Sequence, residues 1–267
     1  MKAADLGSRK KTLFTSTISV ERDGETFLLG VPVADFAREG CMGYLVGSLF
    51  LGRRLKSPQT AAFIELVLKA TIDHGPYVSG AINTIVTTRA GKDMVSSLCA
   101  GLLTIGPRFG GATNESARIW HTYADSTPAA ALVEMLAKQK KKISGIGHRK
   151  YRVDMPDPRV TLFEESLSFL KTKKYLTYAK NVEAITVRKN ANLILNVDGI
   201  IAAGMLDILV EEEELSLDEL GNLIDAEFFN AFFVFSRSAG LIAHFLDQRR
   251  LNEELVRLPE DAVFTPK

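Results

Sequence analysis

Beyond residue 33 the chain carries the start and stop signals of helices and almost none of strands. Ser57-Pro58 supplies a capping hydroxyl followed by proline at the first helical position, where a missing N–H is no loss. Phe63, Leu66, Leu68 and Ile72 then recur at helical spacing until Gly75-Pro76 ends or kinks the run. "DMVSSLCAGLLTIG" is a second such segment, closed by Gly106-Pro107. "STPAAALVEMLAKQKKK" is a third, with a Thr-Pro start and cations in its last turn, where the helix dipole favours them. "TLFEESLSFLKT" is amphipathic. Ser216 and Glu219 form a capping box that opens the run to Leu251, read as two or more helices. Phe228 to Phe235 is apolar nearly all round and is expected to be buried. Only residues 13–33 read as strands, "LFTSTISV" and "TFLLGVPV", flanking the hairpin signal Asp23-Gly24. One hairpin followed by about ten helices predicts a mainly α fold.

The longest apolar stretch, "NLILNVDGIIAAGMLDILV", is interrupted by Asp198 and Asp207, so it reads as a buried core element rather than a membrane span. "VEEEEL" at 210–215 reads as a charged loop. The 33 basic and 32 acidic residues nearly cancel, which argues against a bulk nucleic-acid binder. The N-terminus shows no apolar signal segment, and Cys41 and Cys99 stand alone, so a cytoplasmic location is expected. Both cysteines are expected to be small buried hydrophobes. No spacing of His, Cys and carboxylates makes a zinc site, so no metal is expected. "RAGKD" lacks the Ser or Thr of a phosphate loop, "GIG" does not open a dinucleotide fingerprint, and no nucleophile elbow is present.

The chemistry-bearing residues are few. Of four histidines, His121 and His244 lie on apolar helical patterns and read as structural. His74, in "TIDHGPY", and His148, in "GIGHR", adjoin glycine breaks and polar neighbours, where imidazole suits acid–base work near neutral pH. Asp198 puts a carboxylate inside an apolar run. It is either a helix N-cap or a buried acid with a raised pKa. Arg237, in "FSRSAG", interrupts an apolar helix and needs an anion, from the protein or from a ligand. Arg149, Arg159 and Arg257 are further candidates for carboxylate recognition. Gly145 and Gly147 relax the backbone at a possible hinge.

In order along the chain, "DHGPYVSGAINTIVTTRAGKDMVSSLCAGLLTIGPRFGGA", "GIGHR", "PDPRV", "NLILNVDG", "SRSAG" and "LDQRRL" resemble the C-terminal citryl-CoA lyase module of ATP-citrate lyase, within the citrate synthase superfamily. The resemblance covers roughly residues 12–260. It implies a citrate synthase-like fold with a large helical domain from 1–145 and 228–267, a small domain inserted at 146–227, and the short N-terminal hairpin. The ATP-grasp and phosphohistidine regions have no counterpart here, so the likeness is to a free-standing lyase that follows a separate citryl-CoA synthetase. Such an enzyme splits (3S)-citryl-CoA into acetyl-CoA and oxaloacetate, with the CoA thioester as substrate and no permanently bound cofactor.

The resemblance also implies roles. His74 bonds the hydroxyl and carbonyl oxygens of the oxaloacetate part, His148 polarises the same carbonyl, and Asp198 acts on the methyl carbon of acetyl-CoA. Arg149 faces the oxaloacetate part. Arg159, Arg237 and Arg257 hold carboxylates, the last reaching in from a neighbouring subunit of a homo-oligomer whose active site spans the interface. Gly145, Ile146 and Gly147 approach CoA, with Lys138, Lys140, Lys141, Lys142, Arg188 and Lys189 as candidate phosphate contacts. Phe109 stands where citrate synthases carry a histidine and the lyase module also has Phe, which favours the lyase over the synthase reaction. The alternatives are a citrate synthase condensing acetyl-CoA and oxaloacetate, and a non-catalytic assembly subunit of a citrate-cleaving complex. The expected partners include neither nucleic acid nor membrane.

Overall fold

The computed structural model describes residues 15–106 and 110–266. The start of the first expected strand, Pro107 and Phe109 lie outside them. Three strands, β1 (Ser19–Arg22), β2 (Glu25–Leu28) and β3 (Val31–Pro32), form an antiparallel sheet in that order. The turn between β1 and β2 has Asp23 at φ 51° and Gly24 at φ 78°, both left-handed, as a two-residue hairpin requires.

Twelve helices follow among the described residues: α1 (Val33–Arg38), α2 (Met42–Leu51), α3 (Pro58–Ala70), α4 (Ser79–Arg89), α5 (Met94–Leu102), α6 (Ala112–Tyr123), α7 (Ala129–Lys138), α8 (Pro158–Ser166), α9 (Lys174–Thr186), α10 (Val197–Glu211), α11 (Leu217–Asp225) and α12 (Phe228–Leu251). The fold is therefore mainly helical, as the punctuation predicts. Ser57 accepts the Gln59 N–H to open α3, Asp93 accepts the Ser96 N–H to open α5, and the Ser216–Glu219 capping box opens α11.

Helix α10 is the centre of the core. Every residue from Gly199 to Leu209 is buried, against α6, α8, α9 and α3. This accounts for an apolar run with no polar face. Its interruption at Asp207 is a tie between helices: the carboxylate accepts the Tyr175 and Leu176 N–H groups at 2.9 Å each, in the first turn of α9. Burial pushes the Asp207 pKa to about 6, while those two donors pull it back down.

Three expectations are corrected. The 210–215 segment is not a solvated loop throughout. Val210 and Glu211 continue α10, and Glu213 is 0% exposed, where it receives Arg53 Nη1 at 2.9 Å and the Lys56 and Ser57 N–H groups. It fastens the loop between α2 and α3 to the end of α10. Glu213→Ala leaves those donors without an acceptor and is expected to cost about 2–3 kcal/mol, read by urea denaturation. Cys41 and Cys99 are exposed, because Cys41 precedes α2 in a loop and Cys99 lies on the face of α5 opposite buried Ser97 and Gly101. Helix α12 is long and apolar enough to cross a membrane by length and composition, yet it packs on α2 through α6. It buries Phe228, Phe229 and Phe232 but leaves Val234 and Phe235 exposed. The 228–235 segment is thus apolar on an outward face as well as an inward one.

Candidate functional site

The N-terminus of α10 settles the position of Asp198. Asn196 is the cap, accepting the Gly199 N–H at 3.1 Å, so Asp198 is not. It sits in the first turn with Oδ1 receiving the Thr113 hydroxyl at 2.8 Å from the start of α6. Burial raises its pKa above the ordinary carboxylate value, partly offset by that hydrogen bond and by Arg159, His74 and Arg237.

The glycine turn runs beside this helix start. Gly147 N–H donates to Ile194 O at 2.7 Å, His148 N–H to Asn192 O at 3.0 Å, and Asn196 N–H to Gly145 O at 2.9 Å. The Asn196 side chain also donates to Gly147 O at 2.9 Å, so one residue caps α10 and grips the turn. Gly145, at φ +85°, lies so close to α10 that a Cβ there would come within 2.7 Å of Gly199 Cα. Gly145→Val combines that clash with a backbone region disfavoured by about 1–3 kcal/mol, and is expected to lower the melting temperature and detach the turn.

His148 is held in one tautomer. Its Nδ1 accepts the Lys150 and Tyr151 N–H groups at 3.0 Å each, which leaves the proton on Nε2. Burial, with Arg159 and Lys150 adding to it, lowers its pKa against the opposing pull of Asp157 and Asp198. His148 is therefore a neutral N–H donor at neutral pH.

Two arginines stand beside acids, and one of them is gripped by its acid. Asp157, buried, caps α8 through the Arg159 N–H at 3.0 Å and receives Arg159 Nε and Nη2 at 3.1 and 2.7 Å. Arg237 is 2% exposed; its guanidinium lies over the Phe233 ring at 4.7 Å and 3.9 Å from Asp73 Oδ1. His74 follows the end of α3. Burial lowers its pKa first, then the positive charge of Arg237 and Arg159, against the opposing pull of Asp198. His74, His148, Asp198, Arg159 and Arg237 thus form one electrostatic cluster. It joins a weakly basic acceptor, a fixed N–H donor, a carboxyl group biased toward its protonated form, and two directed cations.

Next to His148 opens a cleft of about 530 Å³, lined by Ile146, Gly147, Arg149, Lys141, Lys142 and Lys189 with the apolar Val133, Ile143 and Leu193. Its size is that of a small-molecule site. Gly145 is buried and is not among its lining residues. Arg188 is exposed outside the lining, and Lys138 is paired with Glu134 at 2.7 Å. Arg257 is exposed on the segment after α12 and is not among the charges acting on Asp198. Thr113, Asp157, Asp73 and Phe233 escape a reading of the sequence. Asp157 alone carries a local signal, as a cap before Pro158; the others are set by packing.

The citrate synthase C-terminal domain matches residues 34–258. The chain belongs to the citrate synthase family. Among relatives within this family, it is 45% identical over 258 residues to a probable ATP-citrate synthase of Dictyostelium discoideum, spanning 96% of this chain and 41% of that protein. It is 42% identical over 265 residues to the ATP-citrate synthase of Bos taurus, spanning 98% of this chain and 24% of the other. The chain therefore covers well under half the length of these relatives. ATP citrate lyase from Methanothrix soehngenii, solved with citrate and coenzyme A, superposes with a TM-score of 0.91 at 39% identity over 97% of this chain and 42% of its own. Citryl-CoA lyase from Hydrogenobacter thermophilus shares the fold, with a TM-score of 0.80 at 24% identity over 96% of this chain and 95% of that one. The citrate synthase-like fold anticipated from the motifs is the fold of this chain.

Proposed function

We propose that the chain is a citryl-CoA lyase that splits (3S)-citryl-CoA into acetyl-CoA and oxaloacetate, downstream of a separate synthetase. The observation that carries this reading is the Asp198 carboxyl at the start of α10, 2.8 Å from the Thr113 hydroxyl and beside the glycine turn that presents His148, where burial shifts Asp198 upward and His74 downward. Retro-Claisen cleavage needs both at once. Similarity supports the substrate: one ATP citrate lyase relative was solved with citrate and coenzyme A, and another, carrying a D541A substitution, with (3S)-citryl-CoA.

Neutral His74 accepts the proton of the tertiary hydroxyl as the adjacent carbon–carbon bond breaks. The hydroxyl carbon becomes the ketone of oxaloacetate, and the Nε2–H of His148 stabilises its oxygen as the charge shifts. The bonding pair moves onto the thioester fragment as an enolate. Protonated Asp198 delivers a proton to its carbon, making the methyl group of acetyl-CoA. One proton has passed in net from oxygen to carbon, and exchange with solvent resets His74 and Asp198. Arg159 and Arg237 hold the carboxylates so that the breaking bond is aligned.

Lys141, Lys142 and Lys189 take the CoA phosphates along the cleft beside Ile146 and Gly147, with Arg149 next to His148. Closure of 146–227 on the remainder excludes water from the thioester. A homo-oligomer completes the site. Val95, Leu103 and Phe235 are 69%, 85% and 43% exposed and offer it an apolar surface, and Arg257 is supplied across the interface. The location is cytoplasmic. The test is purified protein mixed with citryl-CoA, with oxaloacetate followed through malate dehydrogenase and NADH. Stoichiometric NADH loss supports the reading, and none from a folded oligomer refutes it.

A further inference from the structure

Helix α12 does more than present Arg237. Arg237, Gly240 and His244 are spaced by three and four residues, so they share one face of the helix. All three meet the short stretch that carries His74. At the middle, a Cβ on residue 240 would come within 2.2 Å of the Ile72 carbonyl oxygen, so only glycine lets the backbone of α12 and this stretch touch. At one end, His244 Nε2 lies 3.1 Å from Asp73 Oδ1. At the other, Arg237 Nη1 lies 3.9 Å from the same oxygen. The second Asp73 oxygen accepts the Gly75 N–H at 2.9 Å. His74 is thus held between two residues joined by the Asp73 side chain, and that side chain is itself tied to α12.

We propose that His244 and Asp73 form a positioning pair for the lyase reaction. His244 holds the Asp73 carboxylate away from full contact with Arg237, which keeps the guanidinium directed to a substrate carboxylate and the His74 turn fixed. This rests on the functional reading above. The geometry supplies the reason. Asp73 Oδ1 is within hydrogen-bond reach of His244 but beyond it for Arg237, at 3.9 Å. Carboxylates pair readily with guanidinium in a bidentate fork. An Asp73 released from His244 moves the short distance to Arg237 and competes there with the substrate. His244 is then not simply a packed core histidine, and Asp73 is not simply a turn residue.

The test is steady-state cleavage of citryl-CoA by the full chain, with citrate binding measured by calorimetry on the same proteins. His244→Leu removes the donor. It is expected to raise KM and the citrate dissociation constant about tenfold, with a smaller fall in kcat. His244→Gln, which can restore an N–H donor to Asp73, is expected to recover most of both. Adding Asp73→Asn to His244→Leu removes the competing charge. KM should then return toward the wild-type value while kcat stays low. A structural tie alone predicts the reverse, since the second substitution would only add damage. Asp73→Asn by itself is expected to lower kcat without raising KM, which keeps the proposal testable if His244→Leu fails to fold. The proposal is overturned if folded His244→Leu keeps its KM and citrate affinity, if the double variant is no better than the single one, or if Asp73→Asn raises KM at unchanged kcat. Wild-type protein that neither cleaves citryl-CoA nor binds citrate overturns this proposal and the functional reading together. Cleavage by the wild type with unaffected variants overturns only the pair.

Discussion

Asp198→Asn is expected to lower the rate of citryl-CoA cleavage by about 10²–10⁴, or roughly 3–5 kcal/mol of transition-state stabilisation. The amide preserves the shape and can keep an oxygen for the Thr113 hydroxyl, which donates to Asp198 at 2.8 Å, so the helix start should not move. What it loses is the proton that the enolate carbon requires. Citryl-CoA should still bind, because Arg159, Arg237 and the lysine-lined cleft are untouched. The result is therefore a fall in kcat with little change in KM, the pattern of an interaction made in the transition state. A fall in affinity with turnover preserved would instead make Asp198 a binding residue.

His74→Ala carries the second large effect, about 10²–10⁴ in kcat, and its pH profile separates the two roles. His74 must be neutral to accept the hydroxyl proton, so the rate rises with pH through its pKa. Burial and nearby cations place that pKa below the ordinary 6.5. Asp198 must be protonated to donate, so the rate falls as pH rises through a pKa that burial places above the ordinary 3.8. The wild-type profile of kcat/KM is expected to be bell-shaped, and the rising limb is expected to vanish in His74→Ala. A rising limb that survives unchanged would move the acceptor to another group.

The helices were legible in the sequence because their ends are chemically local. Ser57-Pro58 and the Ser216–Glu219 pair each act within three residues of their own position. Asp198 and Arg237 stood out for a different reason: a lone carboxylate or guanidinium in an apolar run has few stable explanations, while His74 and His148 were marked by the glycine breaks beside them. The remaining features come from contacts distant in sequence. Glu213 looked like one of four equivalent acids in "VEEEEL", and only its burial against the loop at Arg53, Lys56 and Ser57 distinguishes it. His244 read as an ordinary helix residue because Asp73 is 171 positions away. Cys99 was expected inside because a free cysteine is usually a small buried hydrophobe, and residue type alone does not say which face of α5 carries it. Arg257 lies outside the cluster of a single chain, where the resemblance predicts that it serves a neighbouring one.

The measurement that bears most directly on the account is a single-turnover experiment with enzyme in excess of citryl-CoA, quenched over time, on wild type and Asp198→Asn side by side. The account predicts one oxaloacetate and one acetyl-CoA per citryl-CoA from the wild type, and citryl-CoA retained intact by the variant. Cleavage by Asp198→Asn at a rate close to wild type, or no cleavage by a folded wild-type oligomer, would contradict it.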